Sequence, residues 1–398
     1  MKINYERNVL KKFDRGEVLT ISFSHFAHDI YSAFLAPMLP FLISKLGISL
    51  SEASFLDIAR RLPTLLNPFF GLMAEKSSVK YIVIVTPSIT AISMSLLGFA
   101  NSYILALILL FVAGLSAALY HIPSPVMIKE ASGNRVGVGM SFFMVGGESA
   151  RTVGPLLITG AISMWELEGT YKLVPFGLFA SLLLFFKLRN FHLDTSPRKP
   201  REKGDAKNFL VRYYPFFTAI GGFLLFQSAM KTVLVLYLPV YLMHHGADIW
   251  RSGISLSVLE FFGVAGTLFA GSYSDKIGRF NMLMISTIVS AVFMVLFVSF
   301  HTLLLFPILA VLGFFLFASG PVLMASVQDL NSHMPTFANS IYMSVNFGVG
   351  SIIVFIVGLS GDRLGLDMTY EITAAMAFVC IPFVLILKRI MSKQSYKE

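Results

Sequence analysis

Inside an otherwise apolar stretch the chain reads GGESARTVGP, from Gly146 to Pro155. Glu148 and Arg151 stand three residues apart, so a helix puts them on one face, while Gly146, Ala150 and Gly154 point largely to the other. A carboxylate that exchanges a guanidinium partner for a proton is a simple coupling element, and Glu148 is singled out for that role. The plainer alternative is a structural ion pair. Six more charged side chains fall within apolar runs: Asp29, Asp57, Arg60, Arg61, Lys231 and Glu260. An isolated charge at the centre of a bilayer costs at least about 2.5–3.5 kcal/mol, so eight would cost roughly 20–28 kcal/mol. That exceeds the ~5–15 kcal/mol net stability of a typical domain. These groups must therefore pair, bind, titrate or line water.

His25 and Asp29 lie four apart on one helical face, continued by Ser22 and Ser32. Histidine as a residue type can exchange a proton near neutral pH, which makes the pair a proton-site candidate; a hydrogen-bonded structural pair between helices is the equal alternative. Arg60, Arg61, Arg151 and Lys231 together would attract a carboxylate or phosphonate, or each is neutralised by one of the four acids. His121, Gln227 and Asn346 are polar candidates for the wall of a binding cavity, with helix packing the plainer reading of each.

The elements that must position these groups are membrane spans. With 56 % hydrophobic and 13 % charged residues and a mean hydropathy of +0.74, the 398 residues are too apolar for ordinary soluble domains. The 48 residues between Lys80 and Lys129 and the 49 between Arg279 and Asp329 carry no charge, and each run suffices for two helices of about 20 residues. The runs are continuous rather than alternating, which excludes a strand barrel. Apolar runs and their breaks predict twelve spans, at 18–44, 51–74, 81–100, 103–128, 136–161, 170–189, 211–243, 250–273, 280–299, 302–329, 335–359 and 369–388.

If the N-terminus is cytoplasmic, the cytoplasmic segments with their adjoining span ends hold 23 of the 31 Lys and Arg residues and the outer loops with theirs hold four. That bias puts both termini in the cytoplasm and directs the net charge of +9 toward anionic lipid rather than nucleic acid. The polar stretch 190–210, with TSPRKPREKGDAK at its centre, reads as a solvated linker between six-helix bundles at 1–189 and 211–398. The two halves repeat each other. GLMAEKSSVK begins at Gly71 and GSYSDKIGRF at Gly271, so Gly71/Gly271, Glu75/Asp275 and Lys76/Lys276 recur at an offset of 200, and Pro40 and Pro239 keep nearly that spacing. The same offset sets Arg60 opposite Glu260, at matching depth in matching helices.

The pattern through Gly271, Asp275, Lys276, Gly278 and Arg279 resembles the loop signature of the major facilitator superfamily; the first copy departs from it at Ser78, and Lys80 is displaced by one. The resemblance covers the whole chain and implies an all-α membrane protein of twelve transmembrane helices in two pseudo-symmetric bundles. It also implies that these loop residues latch the inner helix ends. ISFSHFAHDIYSAFLAPMLPFL from Ile21 and ASGNRVGVGMSFFMVGGESARTVGPLL from Ala131 look like the fosmidomycin-resistance type of drug efflux protein. Gly146, Ala150, Gly154 and Pro155 also resemble the fifth-helix motif of antiporters, and small residues at that spacing suit a close-packed rocking surface. Two departures stand out. Leu110 occupies the place, four before Gly114, where many drug–proton antiporters carry Arg, and Glu148 and Arg151 replace residues that are uncharged in the resistance type.

Two functions fit: a proton-coupled exporter of small organic compounds or drugs, and a transporter of an anionic, carboxylate- or phosphate-bearing metabolite. No HExxH, GxSxG, P-loop or paired-cysteine motif supports an enzyme. No cofactor is expected, and a single cysteine, Cys380, excludes a metal site built on several thiolates, so no metal is expected either. The expected partners are a small-molecule substrate, protons and membrane lipid, for a monomer in a bacterial inner membrane.

Overall fold

The computed structural model describes residues 12–67, 79–192, 206–300, 303–330 and 335–395. They form an all-helical bundle. The first half comprises α1 (Arg15–Ser32), α2 (Leu35–Leu46), α3 (Leu50–Arg61), α4 (Val79–Ser95), α5 (Tyr103–His121), α6 (Ser124–Ser132), α7 (Val136–Trp165) and α8 (Val174–Leu188). The second comprises α9 (Ala206–Lys231), α10 (Leu238–His244), α11 (Ile249–Ile277), α12 (Arg279–Phe300), α13 (Leu305–Gln328), α14 (Pro335–Ala377) and α15 (Cys380–Ser395). Several spans are composite: α1 and α2 form span one, α5 and α6 span four, α9 and α10 span seven. The long α14 carries span eleven and the start of span twelve across a break at Gly365, whose φ of 83° and ψ of 163° are not helical.

Among the described residues nine stretches are long and apolar enough to cross a membrane. One of them, Phe337–Ser392, contains two spans, and spans two and five are not among the nine. Those two carry Asp57, Arg60 and Arg61, and Glu148 and Arg151. Pro155 sits inside α7, yet the helix runs unbroken over 30 residues.

The half-chain repeat is visible in packing. Gly114 of α5 lies so close to the backbone of Arg60 on α3 that a Cβ would overlap its carbonyl oxygen. Gly313 of α13 meets the carbonyl of Leu259 on α11 in the same way, the same contact displaced by 199 residues. Large apolar side chains such as Ile104, Phe176, Phe179 and Phe186 stay exposed, as a lipid-facing rim requires.

Span seven is interrupted after Lys231 by a π turn at Thr232–Leu236. The wider turn pairs Tyr237 N–H with the carbonyl of Thr232, 3.2 Å, and the carbonyl of Val233 accepts instead from the buried Tyr370 hydroxyl.

The end of the bundle away from the termini is sealed across the halves. Ser49 and Glu52 form a capping box at the start of α3. The next two amides point at the other half: Leu50 N–H and Ser51 N–H donate to the two carboxylate oxygens of Asp362 on α14, at 2.7 and 2.9 Å. The Tyr237 hydroxyl donates to Leu50 O, 2.7 Å, and Ser54 Oγ meets that hydroxyl at 2.7 Å and Val354 O at 2.8 Å. On the neighbouring side Trp250 Nε1 donates to Ser163 Oγ, 3.2 Å, joining α11 to α7.

Candidate functional site

Span five divides as its spacing predicts. Gly146 packs on the carbonyl of Ser22, Gly154 on that of Ile30, and Ala150 is fully buried, so one face of α7 lies tightly on α1. The opposite face presents Glu148 and Arg151, whose Oε2 and Nη1 are 3.5 Å apart; the Arg151 side chain remains 51 % exposed. Arg151 also feels the charges of Asp29 and of Glu260 on α11. Glu260, buried, feels Arg151, Glu148 and Lys231. Lys231, the last residue of α9, lies over the Phe317 ring at 5.3 Å and feels Glu260, Arg151 and Arg61. Two acids and two bases, drawn from both halves, therefore share one electrostatic neighbourhood.

Arg60 is engaged elsewhere. Its Nη2 is 2.8 Å from Asp57 Oδ1, and Arg61 Nε is 2.7 Å from Asp57 Oδ2. Asp57 is reachable at three and four residues along the same helix, so both guanidiniums are held without crossing the space between the halves. The pairing of Arg60 with Glu260 suggested by the repeat is not made in this conformation; Glu260 has Arg151 and Lys231 as its basic neighbours.

His25 and Asp29 come together as their spacing predicts, Nε2 to Oδ2 3.3 Å, but two more imidazoles join them. His28 Nδ1 is 2.9 Å from Asp29 Oδ1, and His121 Nε2, arriving at the end of α5, is 3.2 Å from the same oxygen. His28 was missed because adjacent residues do not face each other on a helix; its ring reaches the neighbouring carboxylate nonetheless. Its Nε2 meets Thr90 Oγ1 at 3.0 Å, Thr90 donates to Ser116 and Ser116 to the carbonyl of Thr86. Tyr120 stacks on His28, ring centroids 4.4 Å apart, and Phe143 on His25 at 4.0 Å. His25, Asp29 and His121 place their ligand atoms within 4.8 Å of one another. The expectation of no metal site weighed thiolates alone.

The remaining candidates disperse. Gln227 is buried within the second half, donating to Leu316 O at 3.2 Å and to Ser319 Oγ, so it ties α9 to α13. Asn346 on α14 is exposed. In the second loop motif Gly278 takes a φ of 91°. There Arg279 pairs with Asp275, and its Nε reaches Asp329 Oδ2 at 3.0 Å, tying the turn between α11 and α12 to the end of α13. Gly271 has open space around its Cα and Lys276 lies in the last turn of α11. Gly71, Glu75 and Lys76 lie outside the described residues.

Comparison with known proteins gives a consistent result. The sequence profile of the Major Facilitator Superfamily matches residues 21–355. The chain is 24 % identical over 369 residues to the Fosmidomycin resistance protein of Escherichia coli (strain K12), covering 90 % of this chain and 89 % of that protein. It is 24 % identical over 317 residues to the Multidrug resistance protein MdtG of Salmonella typhimurium, covering 75 % of this chain and 76 % of that one. Among solved structures it is similar to a bacterial homologue of the human lysosomal transporter Spinster in an inward-facing, unoccupied conformation. That match has a TM-score of 0.74 at 14 % identity and covers 96 % of this chain and 98 % of the other.

Proposed function

Because the chain belongs to the major facilitator superfamily, we propose that this membrane transporter works by alternating access as a proton-coupled exporter of small organic compounds. The observation that carries this reading is the electrostatic neighbourhood that Glu148 and Arg151 of one half share with Glu260 and Lys231 of the other. The four charges balance as a set. A proton added to Glu148 releases Arg151, and one added to Glu260 removes its attraction for Arg151 and Lys231, so protonation changes the attraction between the halves. Glu148 and Glu260 are the coupling carboxylates in this scheme. The tight face of α7 on α1 keeps the first half rigid while the halves, 1–189 and 211–398 about the 190–210 linker, rock. The excess of Lys and Arg on the connections at the end bearing the termini supports a cytoplasmic location for that end. The sealed end is then the outer one, and the conformation faces inward.

The resistance proteins named above support a drug-like cargo. An anionic metabolite is the second reading, favoured by the half-exposed Arg151 beside Lys231. Asp57 already engages Arg60 and Arg61, which narrows the bases free to receive an anion. Transport of a substrate panel in reconstituted vesicles under an imposed pH gradient tests the proposal. Outward movement of hydrophobic cations or neutral drugs driven by the gradient supports it. A strict carboxylate or phosphate requirement favours the second reading, and transport indifferent to the gradient overturns proton coupling.

A further inference from the structure

We propose that His25, Asp29 and His121 form a binding site for one divalent transition-metal cation, of the Zn2+ and Co2+ class. Three observations on the hydrogen bonding converge on it. First, His25 Nδ1 lies 2.8 Å from the carbonyl of Phe143. A carbonyl only accepts, so Nδ1 carries the hydrogen, and the neutral ring turns the lone pair of Nε2 toward Asp29 Oδ2, 3.3 Å away. Two acceptors facing each other in a buried place call for a positive charge between them, a proton or a metal ion. An imidazole whose second nitrogen donates to a backbone carbonyl is also the usual support of a metal-bound histidine.

Second, the His28 contact is closed in another way. Thr90 spends its hydroxyl hydrogen on Ser116, so it accepts from His28 Nε2–H, and a proton shared by His28 Nδ1 and Asp29 Oδ1 completes that chain. Its hydrogen bond fixes the carboxylate and leaves Oδ2 to the His25 side. Third, His121 approaches Asp29 from a different span, and its side chain is 43 % exposed where His25 and Asp29 are shielded. A proton bridge needs two donor atoms; here three converge, from α1 and α5.

The spacing suits a metal. Ligand atoms each about 2.0–2.1 Å from a tetrahedral Zn2+ stand roughly 3.3 Å apart; His25 Nε2 is 3.3 Å from Asp29 Oδ2 and His121 Nε2 is 3.2 Å from Oδ1, with one ligand atom from each of the three residues within 4.8 Å of the others. Two imidazoles and one carboxylate select Zn2+, Co2+ or Ni2+ over Ca2+ and Mg2+, which prefer oxygen, and over Cu+, which prefers sulfur. The exposed edge at His121 leaves a coordination position open to solvent. Close packing of Gly147 on the His25 ring holds that ring in place.

The test uses purified, tag-free full-length protein, stripped of metal and titrated with Co2+. The expected result is one Co2+ per chain with the visible absorption band of a low-coordinate site, displaced by Zn2+ and unaffected by excess Mg2+. His121→Ala, at a half-exposed position, is expected to retain its melting temperature without metal and to weaken Co2+ binding by at least about 10–100-fold. His245→Ala, at the sealed end beside Asp367, is expected to leave the band unchanged. Absence of the band in the wild-type protein means that a proton alone occupies the site and overturns the proposal, as does a band of full strength in His121→Ala. No transport is measured, so this outcome is independent of whether proton-coupled export holds.

Discussion

Replacing Asp362 with Ala removes one partner of a seal that exists only while the halves touch. The carboxylate accepts from two amides at the start of α3, at 2.7 and 2.9 Å, across 312 and 311 residues of chain. Losing an N-terminal cap of this type costs about 0.5–2 kcal/mol, and the charge opposite a helix N-terminus adds about 0.3–1 kcal/mol at a surface. A loss near 1–2 kcal/mol changes an equilibrium by a factor of about 5–30. Because the interaction vanishes when the sealed end parts, the whole loss falls on the closed state, and the odds of the open state should rise by that factor. Spin labels at Asn101→Cys and Leu364→Cys, exposed positions at the sealed end of opposite halves, report the change as a growing long-distance population. The native Cys380 is buried and should escape labelling. Asp362→Asn retains one acceptor and should show a smaller shift. An unchanged distance distribution in Asp362→Ala would refute the idea that this cap holds the end shut.

Glu148→Gln is expected to abolish the dependence of transport on an imposed pH gradient while leaving the melting temperature near that of the wild type; unaltered gradient dependence in vesicles rules Glu148 out as a coupling group. Gly114→Leu forces a side chain into the Arg60 backbone and should cost about 1–3 kcal/mol or more of stability, whereas Gly271→Ala meets open space and should be neutral or stabilising by up to about 1 kcal/mol. Thermal melting compares the two, and equal losses would contradict the packing. Arg279→Ala unties α13 from the turn before α12 and should raise amide exchange around Asp329, with no change in exchange at Leu50 and Ser51.

Reading the sequence located the spans because burying a backbone in lipid demands long apolar helices, and such a demand is local. The division of α7 into a packing face and a charged face was legible for the same reason, since Gly146, Glu148, Ala150, Arg151 and Gly154 lie within two and a half turns. The pairing of Arg60 was not. The repeat sets Glu260 against Arg60 at an offset of 200, whereas the packing repeats at 199 and matches Arg60 to Leu259, and Asp57 on the same helix is the shorter reach. The seal was invisible because Ser54, Tyr237 and Asp362 look singly like ordinary polar residues, and only tertiary folding brings them together. The sequence makes His121 a candidate for a cavity wall; its place beside Asp29 depends on how spans one and four pack, which no spacing encodes.

One rod serves three separate fronts in span seven. The π turn at Thr232–Leu236 inserts a residue's worth of rotation, about 100° at 3.6 residues per turn. Upstream, Gln227 is tucked into its own half and Lys231 joins the shared charges; downstream, Tyr237 swings round to the seal. Deleting a single residue from that turn would restore regular winding and leave Tyr237 aimed at the wrong neighbour, so the register of this short segment decides whether the lock and the charges can be served by the same helix.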